Sequence, residues 1–400
     1  MSDDGKLVPF DRGRRRPDPA RVREFAATAR KLQLERESSA ELVDQILRAT
    51  PMSDWPRLAE NESLRNSGAL ERLGQEVATR LERDPREALV LANLATTIAE
   101  TLPPDAYPRV VIAQVRAHAW KDRGQTLCYL ARYSEALDAL DRAEEQLAPF
   151  GTLAHDRAIV RFVRAITLQK VGRFSESQAL LTECRAVFRD HDDSRRVLSC
   201  GIAEGALRYR LSDFRGTCEV LSPLLSFARE QDDRESEARI LNNLGFAEVC
   251  LGALPSAREH LQRSLDLFAS LGRHSEALRA QWNYGTLLSK AGELADGMRH
   301  LRAVRRQFLA TAMVEEAGLC GLDIVEVLLS RGDANRAAEL AQTIIREFTA
   351  AGLNTRAIAA LGLVREAAAT RDAAAAQTAA RVRHYIRSLR TEPQQEFNAC

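Results

Sequence analysis

One feature restricts the fold more than any other: a block of about 40 residues recurs six times with its landmarks in register. Tyr133, Phe174, Phe214, Leu254, Leu294 and Ala334 are separated by 41 residues once and by 40 four times. Three residues after each lies a mostly small residue: Ala136, Ser177, Thr217, Ala257, Gly297 and Ala337. Seven after comes Leu140, Leu181, Leu221, Leu261, Leu301 or Ala341. Two before stands a turn residue, glycine in four of six; nine before stands a small residue in five of six, with Val325 the exception. A unit this short cannot bury its apolar face alone, so neighbours must stack into an extended array.

The spacings within a unit describe two helices. Apolar positions three, four and seven apart form the ridges of a helix face. A glycine just before the second helix permits the left-handed backbone of a helix C-terminal cap. Small residues facing one another let the two backbones approach. The expectation is an all-α solenoid of antiparallel helix pairs.

The segment Ala119–Leu147 carries the fullest pattern. Its Trp120, Gly124, Leu127, Tyr133, Ala136, Leu140 and Ala143 resemble the tetratricopeptide (TPR) consensus, and the segment beginning at Asn242 is similar. The resemblance covers roughly Pro104 to Leu389, with six clear copies and a weaker seventh at 355–389. It implies a right-handed superhelix. The typical unit is about 34 residues; longer helices at this spacing resemble the MalT-like sensor region of bacterial regulators and the peptide-pheromone receptors of Gram-positive bacteria. Those families bind small ligands, peptides or partner proteins. They also carry a DNA-binding or ATPase effector domain, which is not found in this sequence.

The flanks divide the chain further. Residues 1–20 are polar, with the basic run RGRRR at 12–16, and read as a disordered tail. Residues 21–103 form an N-terminal helical region that includes a degenerate helix pair at 67–102, its second helix announced by Asp84-Pro85. Ser38 with Glu41 reads as a capping box opening a new helix. The array occupies 104–390, and 391–400 is a C-terminal tail.

Chemistry-bearing motifs are missing. The sequence has no GxxxxGK[ST], GxSxG or HExxH, and its seven histidines are never closer than 14 residues. The seven cysteines contain no CxxC and read as reduced structural thiols. Acidic pairs such as Asp192-Asp193 and Asp232-Asp233 fall where helices should start, as caps. No catalytic residue, metal or cofactor is expected. Lys and Arg total 57 against 56 Asp and Glu, so a global attraction to nucleic acid is not expected. No stretch approaches the roughly 18 apolar residues of a membrane span, and no signal peptide is recognisable, which predicts a cytoplasmic protein.

The remaining candidate site is the concave face, which the resemblance assigns to the first helices of successive pairs. Carried over copy by copy, it names Lys121, Gln125 and Tyr129, then Phe162 and Gln169, then Tyr209, then Asn242 and Phe246, then Arg279, Trp282 and Lys290. Amides can bond to a peptide backbone and aromatics can anchor side chains. The expected function is a non-enzymatic scaffold for a protein or peptide, in bacterial signalling or transcription control. The alternative is a ligand-sensing regulator with a separately encoded effector. The oligomeric state is left open. A chaperone-type carboxylate clamp is not expected, because Gln125 and Val163 stand where that clamp has asparagines.

Overall fold

The computed structural model describes residues 19–352, 355–372, 374–389 and 397. The tail expected at 1–20 lies outside these residues except for its last two, and that at 391–400 except for Phe397. The described residues contain α-helices and short 3-10 turns and no strand.

Three helices precede the repeats: α1 (Pro19–Ala49), α2 (Ser67–Leu81) and α3 (Pro85–Glu100). Asp84 caps α3 by accepting the Arg86 amide, as its position before Pro85 requires. The break expected at Ser38 does not occur. The Ser38 hydroxyl donates back to the Glu35 carbonyl, and the buried Ser39 hydroxyl donates to Asn66 at 2.9 Å. Both hydroxyls thus find partners while the α1 backbone continues.

The repeats then run as pairs. They are α4 (Arg109–Tyr129) with α5 (Tyr133–Leu147), α6 (Ala154–Lys170) with α7 (Phe174–Asp190), and α8 (Ser194–Arg210) with α9 (Phe214–Glu230). Next come α10 (Arg234–Leu251) with α11 (Leu254–Ser270), α12 (His274–Lys290) with α13 (Leu294–Ala310), and α14 (Val314–Ser330) with α15 (Ala334–Ala350). The pair α16 (Thr355–Ala369) and α17 (Ala375–Ser388) closes the series, and α17 also packs on α14.

The recurrent landmarks have direct structural causes. The residue two before each second helix is left-handed in all six copies, including the non-glycines Ala131 (φ 57°) and Ser212 (φ 61°). The following amide reaches back five residues, as Arg132 does to the Leu127 carbonyl at 2.9 Å, satisfying a free helix-end acceptor. Turns between pairs use the same device at Asp192, Asp232, Gly272, Ala312 and Gly352. Asp193 and Asp233 then cap α8 and α10.

The small position and the leucine position meet across the pair. A Cβ on Gly124, Gly205 or Gly245 would stand 2.8, 2.6 or 2.7 Å from the Cγ of Leu140, Leu221 or Leu261. A core position that the sequence reading missed lies later in the second helices. Phe188, Phe268, Phe308 and Phe348 occupy it and are all completely buried. Burying one such ring contributes about 1.5–3 kcal/mol.

The superhelix touches its own beginning. The Ser275 hydroxyl at the start of α12 donates to the Glu82 carbonyl at 3.1 Å, and Arg86 donates to the Ala310 carbonyl at 2.9 Å. The Tyr133 hydroxyl donates to Glu315 at 2.9 Å. The α2–α3 and α4–α5 turns therefore meet α12, α13 and α14, closing the array into a ring.

Candidate functional site

The ring encloses a cavity of about 1100 Å³ walled by α6, α8, α10, α12 and α14, with α17 contributing from the seventh pair. Along α12 the wall runs from Arg279 to Lys290, roughly 16 Å at the 1.5 Å helical rise. This sets the cavity's tiers.

The floor is a buried charge network. The Arg279 guanidinium lies 4.9 Å over the Tyr129 ring and 4.0 Å from Glu316. Burial would lower the Arg279 pKa, but Glu276, Tyr129 and Glu316 together outweigh it and hold the pKa above the usual arginine value. Burial pushes the Tyr129 phenol up to about 12. Burial and the nearby Glu276 charge also raise the pKa of Glu82, although Arg273 and Arg279 oppose them. Tyr129 and Glu82 come from the helices that close the ring, so closure and floor are one construction.

The middle tier mixes amides and aromatics. The Asn283 amide donates to the Asn242 side-chain oxygen at 2.9 Å, linking α12 to α10. The Gln169 amide donates to the Ala203 carbonyl at 3.0 Å. Tyr209 lies 5.3 Å from Phe246 and 5.8 Å from Phe214, in tilted ring contacts. The Trp282 indole N–H donates to Asp323 at 2.5 Å, and the ring meets Phe308 edge-on at 5.9 Å. Arg383, from α17, also bonds Asp323.

The ends of the first helices also line the cavity, and the Lys170 charge bears on Glu276 of the floor network. Lys170, Arg210 and Lys290 are the last residues of α6, α8 and α12, and the exposed Leu211 and Leu251 flank them.

Seven of the eleven residues named from the sequence line this cavity: Gln169, Tyr209, Asn242, Phe246, Arg279, Trp282 and Lys290. The other four do not. Tyr129 stands behind Arg279; Lys121 pairs with Asp122 at 2.5 Å; Gln125 lies half-buried on α4; Phe162 packs into two core clusters beside Leu181 and Phe188. Tyr129, at the end of α4, is taken up by the ring-closing contact with Arg279, and α17 reaches the cavity by packing on α14. Residues not anticipated include Asn283, Asp323, Arg383 and His384. Asn283 was detectable, being next to Trp282 on the same helix face. Asp323, Arg383 and His384 needed the packing of α17 on α14.

Three of the seven histidines pair with carboxylates: His118 with Asp156, His155 with Asp193 and His260 with Glu248, each at 2.9 Å. Burial pushes the Cys184, Cys200 and Cys320 thiols up to about 12, leaving them inert as nucleophiles near neutrality. Among the described residues no group of three potential ligands could hold a metal ion, and no helix is long and apolar enough to cross a membrane.

Comparison with known proteins agrees with this architecture. The tetratricopeptide repeat family model matches residues 236–307. Curated proteins give no match in sequence. Among solved structures, the chain is similar to the Rap conjugation gene regulator of the plasmid pLS20 in complex with the Phr* peptide, at 12% identity and a TM-score of 0.51, covering 86% of this chain and 97% of that one. It is also similar to a STAND signal-transduction ATPase with a tetratricopeptide repeat sensor from Pyrococcus horikoshii, at 12% identity and a TM-score of 0.50, covering 90% of this chain and 53% of that one. At this identity the likeness is one of fold.

Proposed function

We propose that this tetratricopeptide-type repeat protein is a non-enzymatic cytoplasmic scaffold that takes a peptide into the cavity of its closed array, in bacterial signalling or transcription control. The observation that carries the reading is the middle tier. Paired amides from neighbouring helices stand beside an aromatic cluster, in a cavity of about 1100 Å³. A small-molecule pocket is usually ~300–1,000 Å³, so the space suits a segment of chain. Amides bond to backbone N–H and C=O groups of any sequence, and aromatics hold apolar side chains at low entropic cost. The Rap regulator of similar fold was solved with a peptide, which is consistent with this use of the architecture.

The sequence pattern suggests Trp282 and Tyr209 as aromatic anchors, and the structure sets Trp282 apart. Its hydrogen bond to Asp323 and its edge-on contact with Phe308 make it part of the wall, so Tyr209 and Asn283 are better probes. A display library of random peptides should be enriched by the wild-type protein. Tyr209→Ala and Asn283→Ala should each weaken the enriched peptides about tenfold, or ~1.4 kcal/mol, without loss of helicity. Arg263→Ala, exposed on α11, should bind like wild type. Enriched peptides that bind both cavity variants undiminished would overturn the proposal.

A further inference from the structure

The seventh pair departs from the pattern of the others. Its first helix, α16, packs on α15 as the period requires, but its second helix, α17, crosses to α14. The second helices α7, α9 and α11 meet the cavity only at their first residues, Phe174, Phe214 and Leu254. By contrast, α17 presents Ala380, Arg383 and His384 from its middle.

The face that α17 lies against is the cavity-facing stripe of α14. On α12 that stripe is Arg279, Trp282, Asn283 and Thr286, all lining the cavity and all half-buried. The same repeat positions on α14 carry Leu319, Leu322, Asp323 and Glu326, and the first three are buried. Arg383 of α17 pairs with Asp323 and, at 2.9 Å, with Glu326. Ala379, Val382 and Ile386, within one turn of Arg383, are buried in the same core cluster as Leu319 and Leu322. A helix is thus laid in a groove by one apolar stripe and one charged contact, as helical ligands are, but the chain supplies it to itself. Asp323 also accepts the Trp282 N–H, so the wall orients this carboxylate independently of α17. The buried stripe of α17 begins with Ala375 and Ala379, so its first turns bury little apolar area.

We infer that α17 is a built-in occupant of a helix-binding groove on α14, and that the same seat takes a helix of a partner protein bearing an arginine among small and aliphatic residues at the Ala379, Val382 and Ile386 spacing. The inference does not depend on the peptide reading of the α8, α10 and α12 wall. The short α16–α17 turn keeps α17 at an effective concentration on the order of mM, so it wins against a free helix until its own contact is weakened. An incoming arginine replaces Arg383 like for like, and no buried carboxylate loses its cation. A helix without that arginine would leave Asp323 and Glu326 without one, which selects against it.

The test uses the full chain and a fluorescent synthetic peptide of residues 374–390, with binding read by anisotropy. Wild type should bind it weakly, because α17 fills the seat. Arg383→Glu in the chain sets a third carboxylate against Asp323 and Glu326 and should raise affinity for the peptide at least tenfold. Arg383→Met should raise it severalfold and serves if the charge reversal perturbs folding. The same peptide carrying Arg383→Glu should bind neither variant, which separates the seat from a general attraction of basic peptides. In wild type, amide hydrogen exchange should be at least tenfold faster in α17 than in α15. Equal protection of the two helices, or no gain in affinity in either folded variant, would make α17 a fixed part of the fold and overturns the inference. Equal binding of the two peptides also overturns it. Wild-type dimers dissolved by the peptide would give the seat to a second copy of the chain and overturn the partner assignment.

Discussion

Gly245 lies at the closest approach of α10 and α11. A Cβ there would stand 2.7 Å from Leu261 Cγ, 3.1 Å from Leu261 Cδ2 and 3.2 Å from the Ala257 carbonyl. Carbon atoms in contact normally sit ~3.5–4.0 Å apart, so Leu261 would have to retreat by roughly 0.8 Å or more. Leu261 is completely buried and has no room to do so. Helix propensity works the other way: alanine is favoured over glycine inside a helix by roughly 0.5–1 kcal/mol. Gly362 supplies the matched control, since it is helical and a Cβ there meets nothing within 4 Å. Gly362→Ala should therefore stabilise the protein by about 0.5–1 kcal/mol. Gly245→Ala should destabilise it by on the order of 1 kcal/mol, and Gly245→Leu by about 1–3 kcal/mol or more. Denaturant unfolding followed by circular dichroism at 222 nm measures all three. Adding Leu261→Ala to Gly245→Leu should recover part of the loss, because the two side chains compete for one space. A Gly245→Leu protein as stable as wild type would refute the register on which the helix pairs are built.

Three further outcomes follow from the same geometry. Glu82 binds its proton more tightly in the folded protein than in the unfolded chain, so its contribution to stability is complete at low pH and is lost as pH rises through the raised folded pKa; Glu82→Gln should flatten the fall in melting temperature as pH rises above the ordinary glutamate range, and an unchanged pH profile would contradict the buried floor network. Gly252 has φ 80°, so Gly252→Ala should cost about 1–2 kcal/mol, whereas Ala131→Gly, at φ 57°, should stabilise by a similar or smaller amount. Opening the ring by Ser275→Arg should enlarge the radius of gyration seen by X-ray scattering without loss of helicity, since Ser275 is buried against Leu81 and Glu82.

The helix pairs were legible because their causes are local and repeated. A left-handed turn, a small residue opposite a leucine, and a fixed period leave the same mark six times. Ser38 misled because a hydroxyl can satisfy itself on the preceding turn, or on Asn66, without ending a helix. Ring closure left no mark at all: the contacts of Glu82 with Ser275 and of Tyr133 with Glu315 join residues 193 and 182 positions apart, once each and outside the period. That closure moves Tyr129 behind Arg279, and the docking of α17 on α14 adds Arg383 and His384. The part of the candidate site carried by α6, α8, α10 and α12 could thus be named from the repeat, and the part supplied by long-range docking could not.

The most direct measurement of the central claim is photo-crosslinking with a peptide selected by the wild-type protein and carrying a benzophenone side chain, followed by mapping of the attached residues. The account predicts adducts on the cavity wall, at Tyr209 and within Asn242–Gly252 and Trp282–Lys290, and their loss in Asn283→Ala. Adducts confined to the outer helices, such as the face of α11 bearing Arg263, would contradict it.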